Sequence, residues 1–298
     1  MEPTKKSRKN GLKKIFAVSN NTITTNCFLD TSRGSGMSSD AKVYSTTLRA
    51  YKVNKSLLKG VAAVSITALV LVLMETILAL FPHPIGANAK DLSDAVWTTV
   101  TLTITAGVFG TVVGTVAALG KVSTIAPVRW VFSFYIWVAR GTPLLLQILF
   151  VFFALPVLIP GLEFSDFTSA AVALAFNIGA YNAEAIRSGL LSVPKGQIEA
   201  AHALGLSRLT IFNSVVMPQA LRICLPPLVN NGVSLLKDSS LAYAIGVVEL
   251  SNAASRIQSA TFEPVPVLIT SAIIYLTLTT GLTQVTNALE RYLSVDKR

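Results

Sequence analysis

Charged and amide side chains lie within, or at the ends of, apolar stretches of this 298-residue sequence, and seven of them are candidates for chemistry. They are Arg140, Asn177, Glu184, Asn230, Asn231, Lys237 and Asp238. Such groups are costly inside a bilayer, so they usually face protein or water and often mark a solute pathway. Amides and charges together can bind a zwitterion, which makes these residues the candidates for a substrate pathway.

Each candidate also has a purely structural interpretation. Arg140 lies near the end of a stretch, where a long side chain can extend to the membrane interface. Glu184 and Arg187 are three residues apart, the spacing of a local ion pair on one helix. The three asparagines can equally form hydrogen bonds between helices. We expect the adjacent pair Lys237 and Asp238 to form a gate near the outer side.

Motifs for covalent or nucleotide chemistry are missing from the sequence. No GxxxxGK[ST] phosphate loop occurs, so this chain does not bind ATP by that route. There is no GxSxG or HExxH pattern, and the two histidines and two cysteines are far apart. We therefore expect no cofactor, no metal site and no catalytic residue.

A short helix is predicted between Pro194 and Gly205. Proline suits the first turn of a helix, and glycine suits the left-handed position just after its end. The intervening residues would form a helix about 15 Å long, too short to cross a membrane. It is also too apolar to lie free in water. The composition leaves two alternatives open, a helix packed on its own bundle and a helix that docks on a partner.

The elements that must hold these residues are apolar. Hydrophobic residues make up 52% of the chain and charged residues 13%, about half the charged fraction of a soluble domain. Six stretches are long enough to cross a bilayer as helices, and none shows the alternation of a strand. They comprise residues 61–81, 95–120, 131–162, 167–183, 209–236 and 264–289. The sequence thus predicts an all-α, polytopic membrane bundle with six transmembrane helices.

The net charge of +10 is concentrated at the N-terminus, where residues 1–59 carry 12 Lys and Arg but three Asp and Glu. This segment is typical of a flexible cytoplasmic arm, and Met37 is an alternative start. With the N-terminus inside, the predicted inner segments carry 20 basic residues and the outer ones two. Positive residues accumulate on the cytoplasmic side, so we expect both termini there.

Three motifs in order carry a resemblance to a known family. Glu199-Ala200-Ala201, followed by Gly205 and by residues 215–218 (VVMP), resembles the EAA signature of ABC-transporter permeases with the type I fold. That pattern ends in Ile-x-Leu-Pro, where this chain has Val and Met. Residues 140–147 (RGTPLLLQ) and 235–241 (LLKDSSL) resemble the polar amino acid permeases of that superfamily, the histidine, glutamate, glutamine, arginine and opine type.

The resemblance implies a domain organisation and partners. It implies a permease domain at residues 94–291, preceded by an extra transmembrane helix at 60–82 and the arm at 1–59. It implies a coupling loop at about 187–208, whose Glu199, Ala200, Ala201 and Gly205 dock on a separate ATPase subunit. Two ATPase copies, a second permease chain, identical or different, and an extracytoplasmic binding protein would complete an importer in a prokaryotic cytoplasmic membrane.

The function so implied is import of polar amino acids by alternating access, with hydrolysis on the partner. A self-contained secondary transporter or channel for small polar solutes is the alternative. Inverted repeats and carboxylates at the midplane would favour that alternative, but no repeat is evident and such carboxylates are few. A structural membrane subunit is a third possibility, which the polar residues of the later stretches disfavour.

Overall fold

The computed structural model describes residue 62 and residues 65–294, with side chains to residue 288. The α-helices are α1 (Met74–Ala79), α2 (Ala89–Lys121), α3 (Ala126–Gly141), α4 (Leu144–Leu149), α5 (Leu155–Leu158), α6 (Asp166–Leu191), α7 (Lys195–Ala203), α8 (Arg208–Ile211), α9 (Met217–Asp238), α10 (Leu250–Thr261) and α11 (Pro264–Ser294). Short π-helical turns join α4 to α5 and α8 to α9. No strand occurs within these described ranges, which confirms the all-α class. The predicted arm at 1–59 lies outside them.

Three of the described helical segments are long and apolar enough to cross a membrane. They are Gly86–Lys121, Arg208–Ile245 and Pro264–Ala288. Helix α6 has 26 residues and is also long enough, but Asn177, Asn182, Glu184 and Arg187 make it more polar. Of the first predicted span, residues 65–72 and α1 are helical. The count of six transmembrane helices therefore stays a prediction.

The stretch at 131–162 is not one continuous span, contrary to the prediction. Helix α3 and the helical segment Leu144–Leu158 meet at an angle of 110°. The cause is local, because a residue before proline avoids the helical region and proline lacks an N–H group. Thr142 accordingly has φ −113° and ψ 146°, and Pro143 has φ −62° and ψ 135°. We call this bend at residues 141–143 the elbow.

Helices α2 and α6 run parallel and in close contact. A Cβ atom added at Gly110 would lie 3.0 Å from the carbonyl oxygen of Ala175, and one at Gly114 would lie 2.7 Å from that of Gly179. Small residues allow this approach of two backbones. Gly110 and Gly114 of α2 therefore serve packing.

Helix α9 packs antiparallel to α6. Gly189, near the end of α6, lies against Ala220 near the start of α9. Asn231, later in α9, forms a hydrogen bond with Asn182, which is earlier in α6. Because α7 follows α6, it lies at the end of the bundle where α6 finishes and α9 starts. The opposite end holds the first turns of α2 and helix α10, which are tied together by the N–H of Leu250 donating to the Thr99 hydroxyl at 3.1 Å.

The sides of the bundle expose large apolar side chains. Trp130 is 74% exposed, Trp137 71%, Phe109 62% and Leu158 65%. Water disfavours an apolar surface of this extent, whereas lipid chains accept it. The exposed surface thus agrees with a chain that spans a membrane.

Candidate functional site

Helix α7 is the short helix that the sequence predicts, and its end is capped as expected. Pro194 is the residue before the first turn, and the helix covers nine residues. At its end Gly205 has φ +76°. The N–H of Gly205 donates to the carbonyl oxygen of His202 at 2.9 Å, and the N–H of Leu206 donates to the carbonyl oxygen of Ala201 at 3.3 Å. This pair of bonds is the Schellman motif, which needs a left-handed residue at the glycine position.

The four predicted coupling residues divide between two environments. Glu199 and Ala200 are exposed on α7. Ala201 is only 5% exposed and packs within the chain. Neighbouring positions on a helix point about 100° apart, so the exposed Ala200 and the buried Ala201 lie on different sides of α7. Docking of these four residues on an ATPase stays a prediction.

A glutamine pair ties α7 to the following helices. Gln219 of α9 donates from Nε2 to Oε1 of Gln197 at 2.7 Å and to the carbonyl of Val215 at 2.9 Å. Together with the buried Ala201, this contact fixes how α7 sits at the end of the bundle.

A charged cluster lies near the end of the bundle that carries α7. Glu184 binds Arg187 through Nε (2.9 Å) and a second guanidinium nitrogen (2.8 Å), as their spacing predicts. Lys121 binds the other oxygen of Glu184. The sequence gives no signal for this third member, which lies 63 residues away. One carboxylate therefore binds two cations here.

Arg140 lies beside this cluster. Its guanidinium carbon lies 5.1 Å from the ring centre of Tyr181, a cation–π distance. Both residues, with Lys121, Ser133, Trp137 and Glu184, line a cavity of about 460 Å³. We call this cavity the basic cavity, since Lys121 and Arg140 outnumber the single carboxylate of Glu184 in its wall.

Asn177 has a structural environment in the interior. It is 9% exposed, and its Nδ2 donates to the carbonyl of Ala139 and to Oε1 of Gln147, both at 3.1 Å. Gln147 in turn donates to Ala139 (2.8 Å) and to the hydroxyl of Thr142 (2.8 Å). The side-chain amides of Asn177 and Gln147 therefore stabilise the elbow. Gln147 was not a candidate pathway residue, and the sequence analysis includes it only in the motif at residues 140–147.

A second amide chain links three helices. Asn231 of α9 donates to Oδ1 of Asn182 at 2.9 Å, and Asn182 of α6 donates to the hydroxyl of Thr111 of α2 at 3.2 Å. Asn231 thus takes the interhelical role that the sequence left open. Asn182 and Thr111 were not among the candidates, because polar residues at single positions give no periodic signal.

The remaining candidates lie on α9 and its end. Asn230 and Lys237 are exposed, and Asp238 is half-buried. Within the part of the chain that the structure describes, neither Lys237 nor Asp238 forms an ion pair. That same part contains no cluster of three His, Cys, Asp or Glu side chains fit to hold a metal.

Comparison with known proteins identifies this arrangement. Residues 110–295 match the family described as binding-protein-dependent transport system inner membrane component. An L-cystine transport system permease protein of Bacillus subtilis is 39% identical over 203 residues, which are 68% of this chain and 86% of that protein. A glutamine transport system permease protein of Escherichia coli is 40% identical over 161 residues, 54% of this chain and 74% of the relative.

A solved structure has the same fold. The crystal structure of an amino acid ABC transporter with histidines contains a chain with a TM-score of 0.65 and 36% identity to this one, covering 69% of this chain and 95% of that one. The family match spans more than half of the sequence and includes the elbow, α6 and α7. This chain belongs to the family of inner membrane components of binding-protein-dependent transport systems.

Proposed function

We propose that this chain is the permease subunit of an ABC importer that moves polar amino acids across the cytoplasmic membrane by alternating access. The observation that carries the coupling role is α7, a capped helix at one end of a membrane bundle with Glu199 and Ala200 exposed. The permeases for cystine and glutamine among its relatives support the class of solute.

The proposed partners follow from this role. A separate ATPase subunit receives α7 in each half of the transporter, so two copies are needed. A second permease chain completes the pathway, and an external binding protein delivers the solute. The strong bias of basic residues toward the predicted inner segments, one of which contains α7, supports a cytoplasmic position for this end and for both termini.

The basic cavity is our proposed part of the substrate pathway. Arg140 and Lys121 in its wall give a positive potential that attracts a substrate carboxylate, and Tyr181 offers an aromatic face. Glu184 holds Lys121 and Arg187 in place. Asn230 is a further proposed lining residue because its amide is exposed. Lys237 and Asp238 remain our proposed gate at the other end of α9.

Reconstitution tests the function directly. The chain, coexpressed with its ATPase and binding protein, should drive ATP-dependent uptake of L-cystine, L-glutamine or L-arginine into proteoliposomes. Ala200→Arg should abolish both ATPase copurification and uptake, since a large charged side chain blocks close docking of a small one. Asn213→Arg, an exposed position beyond α8, is the matched control and should retain both.

Two results would contradict the proposal. Uptake that persists without the ATPase would show a secondary transporter or channel. A complete complex that hydrolyses ATP but imports none of the three amino acids would show that the solute class is wrong.

A further inference from the structure

A second polar cavity lies at the end of the bundle opposite to α7. It is formed between the first turns of α2 and helix α10, and its volume is about 380 Å³. Its wall includes Asp91, Asp94, Thr98, Val248, Arg256 and Ile257. The volume is sufficient for a small organic solute. We call it the distal cavity.

Opposite charges face this cavity from different helices. Asp91 and Asp94 are three residues apart, so they share one face of α2. Arg256 belongs to α10. All three side chains are exposed, and among the described residues none of them forms an ion pair. Carboxylates and a guanidinium that line one cavity without neutralising each other are complementary to a solute that carries both charges.

We propose that the distal cavity is a binding site for a free α-amino acid. The ammonium group would donate to the carboxylates of Asp91 and Asp94, while the guanidinium of Arg256 would bind the carboxylate through charge-assisted hydrogen bonds. Val248 and Ile257 would contact the apolar part of the solute. This inference rests on the proposed function for the class of solute, and it adds a site separate from the basic cavity.

Modified amino acids test each charge separately. The permease–ATPase complex, in lipid nanodiscs without binding protein, is titrated calorimetrically with L-glutamine, L-arginine and L-cystine. The N-acetyl form and the α-carboxamide of each are titrated in parallel. The wild type should bind at least one free amino acid about three- to ten-fold more tightly than either modified form, the range expected for one partly exposed charged contact.

The variants should remove these preferences selectively. Asp91→Asn with Asp94→Asn should abolish the preference over the N-acetyl form, and Arg256→Gln should abolish that over the α-carboxamide. Glu163→Gln and Lys90→Gln, exposed charges that do not line the cavity, should keep both preferences. Arg256→Lys retains the charge and should keep most of the second preference, which separates loss of charge from loss of folding.

Several outcomes would overturn the inference. The inference fails if the wild type binds none of the three amino acids, or if the variants keep the preferences of the wild type. Unchanged preferences together with a loss of affinity for the external binding protein, titrated separately, would assign the three charges to protein docking. Normal ATP-driven uptake alongside any of them would leave the proposed function intact, whereas a lack of amino acid uptake by the wild type would refute that function itself.

Discussion

At the end of α7, Gly205 has a φ of +76°, a conformation that other residues adopt at a cost. A Cβ atom at this position would meet nothing within 4 Å. A Cβ atom here is therefore opposed by backbone strain and not by a steric clash with the described residues. At the scale of one residue, the direction in which the chain leaves α7 depends on the missing Cβ.

Gly205→Val should impose strain of about 1–2 kcal/mol on the end of α7. This is small for a membrane bundle but large for docking of one short helix, so ATPase copurification and uptake should fall together while membrane insertion persists. Gly196→Ala is the control, because Gly196 also has open space but no positive φ. Full ATPase binding by Gly205→Val would show that the cap is not required.

Substitution of Asn177 and of Asn230 tests a structural role for the first residue and a pathway role for the second. Asn177 donates to two buried acceptors, so Asn177→Leu should lower thermal stability by about 1–3 kcal/mol. Asn230→Leu changes an exposed amide and should reduce uptake without loss of stability. Thermal unfolding in detergent and reconstituted uptake are measured for both. Equal loss of stability in the two variants would contradict this assignment.

Among the elements, the elbow is the least regular part of the bundle and depends on side chains for its shape. Pro143 breaks the helix, but Gln147 and Asn177 determine where α4 lies relative to α3 by binding the carbonyl of Ala139. A carbonyl at a helix end needs such a donor when it is buried. Pro143 therefore causes the bend through its local backbone geometry, and hydrogen bonds between helices stabilise it.

The start of α10 contains a buried carboxylate. Glu249 is 0% exposed and accepts hydrogen bonds from the N–H groups of Ser251 and Asn252, both at 2.8 Å, and from the hydroxyl of Tyr275 at 3.0 Å. Burial raises the pKa of Glu249 above its ordinary value, although these hydrogen bonds act in the opposite direction. The carboxylate thus joins α10 to α11.

This raised pKa predicts a pH dependence of stability. A carboxyl group with a folded-state pKa above its unfolded value contributes full stability below the unfolded pKa, and that contribution is lost as pH rises through the folded pKa. The unfolding temperature of the wild type should therefore fall relative to that of Glu249→Gln as pH rises above about 4.3.

Thermal unfolding of both proteins in detergent across that pH range measures the difference. Glu163→Gln, a change of an exposed carboxylate, should follow the wild type. A stability of the wild type that rises with pH relative to Glu249→Gln would contradict the sign of the shift.

For the whole molecule, the two ends of the bundle differ in chemistry. One end carries α7 and the cluster of Lys121, Glu184 and Arg187. The other carries the distal cavity and α10. Parallel packing of α2 and α6 creates this polarity, since it puts the last turns of both helices on the side of α7.

Cysteine labelling tests the orientation of these ends. In a chain lacking Cys27 and Cys224, His202→Cys should react with a membrane-impermeant maleimide only from the cytoplasmic side, and Glu163→Cys only from outside. Both positions are exposed, and they lie beyond opposite ends of α6. Labelling of position 202 from outside would contradict both the topology and the coupling role of α7.

The sequence alone determined the features that depend on neighbouring residues. Apolar runs predict helices, Pro194 and Gly205 predict α7 and its glycine cap, and the spacing of Glu184 and Arg187 predicts an ion pair. Each of these follows from interactions within a few residues along the chain, where spacing fixes geometry. The position of Pro143 also contained the signal for the elbow, which an apolar run long enough for one span obscured.

Only the tertiary structure decided which side chains meet across helices. It buried Ala201 of α7, brought Lys121 to Glu184, and joined Gln147 to Asn177. It also placed Asp91 and Arg256 on one cavity. The bonded pairs are 30 or more residues apart in the sequence. They meet only because the helices pack closely, and no local pattern in the sequence encodes that packing.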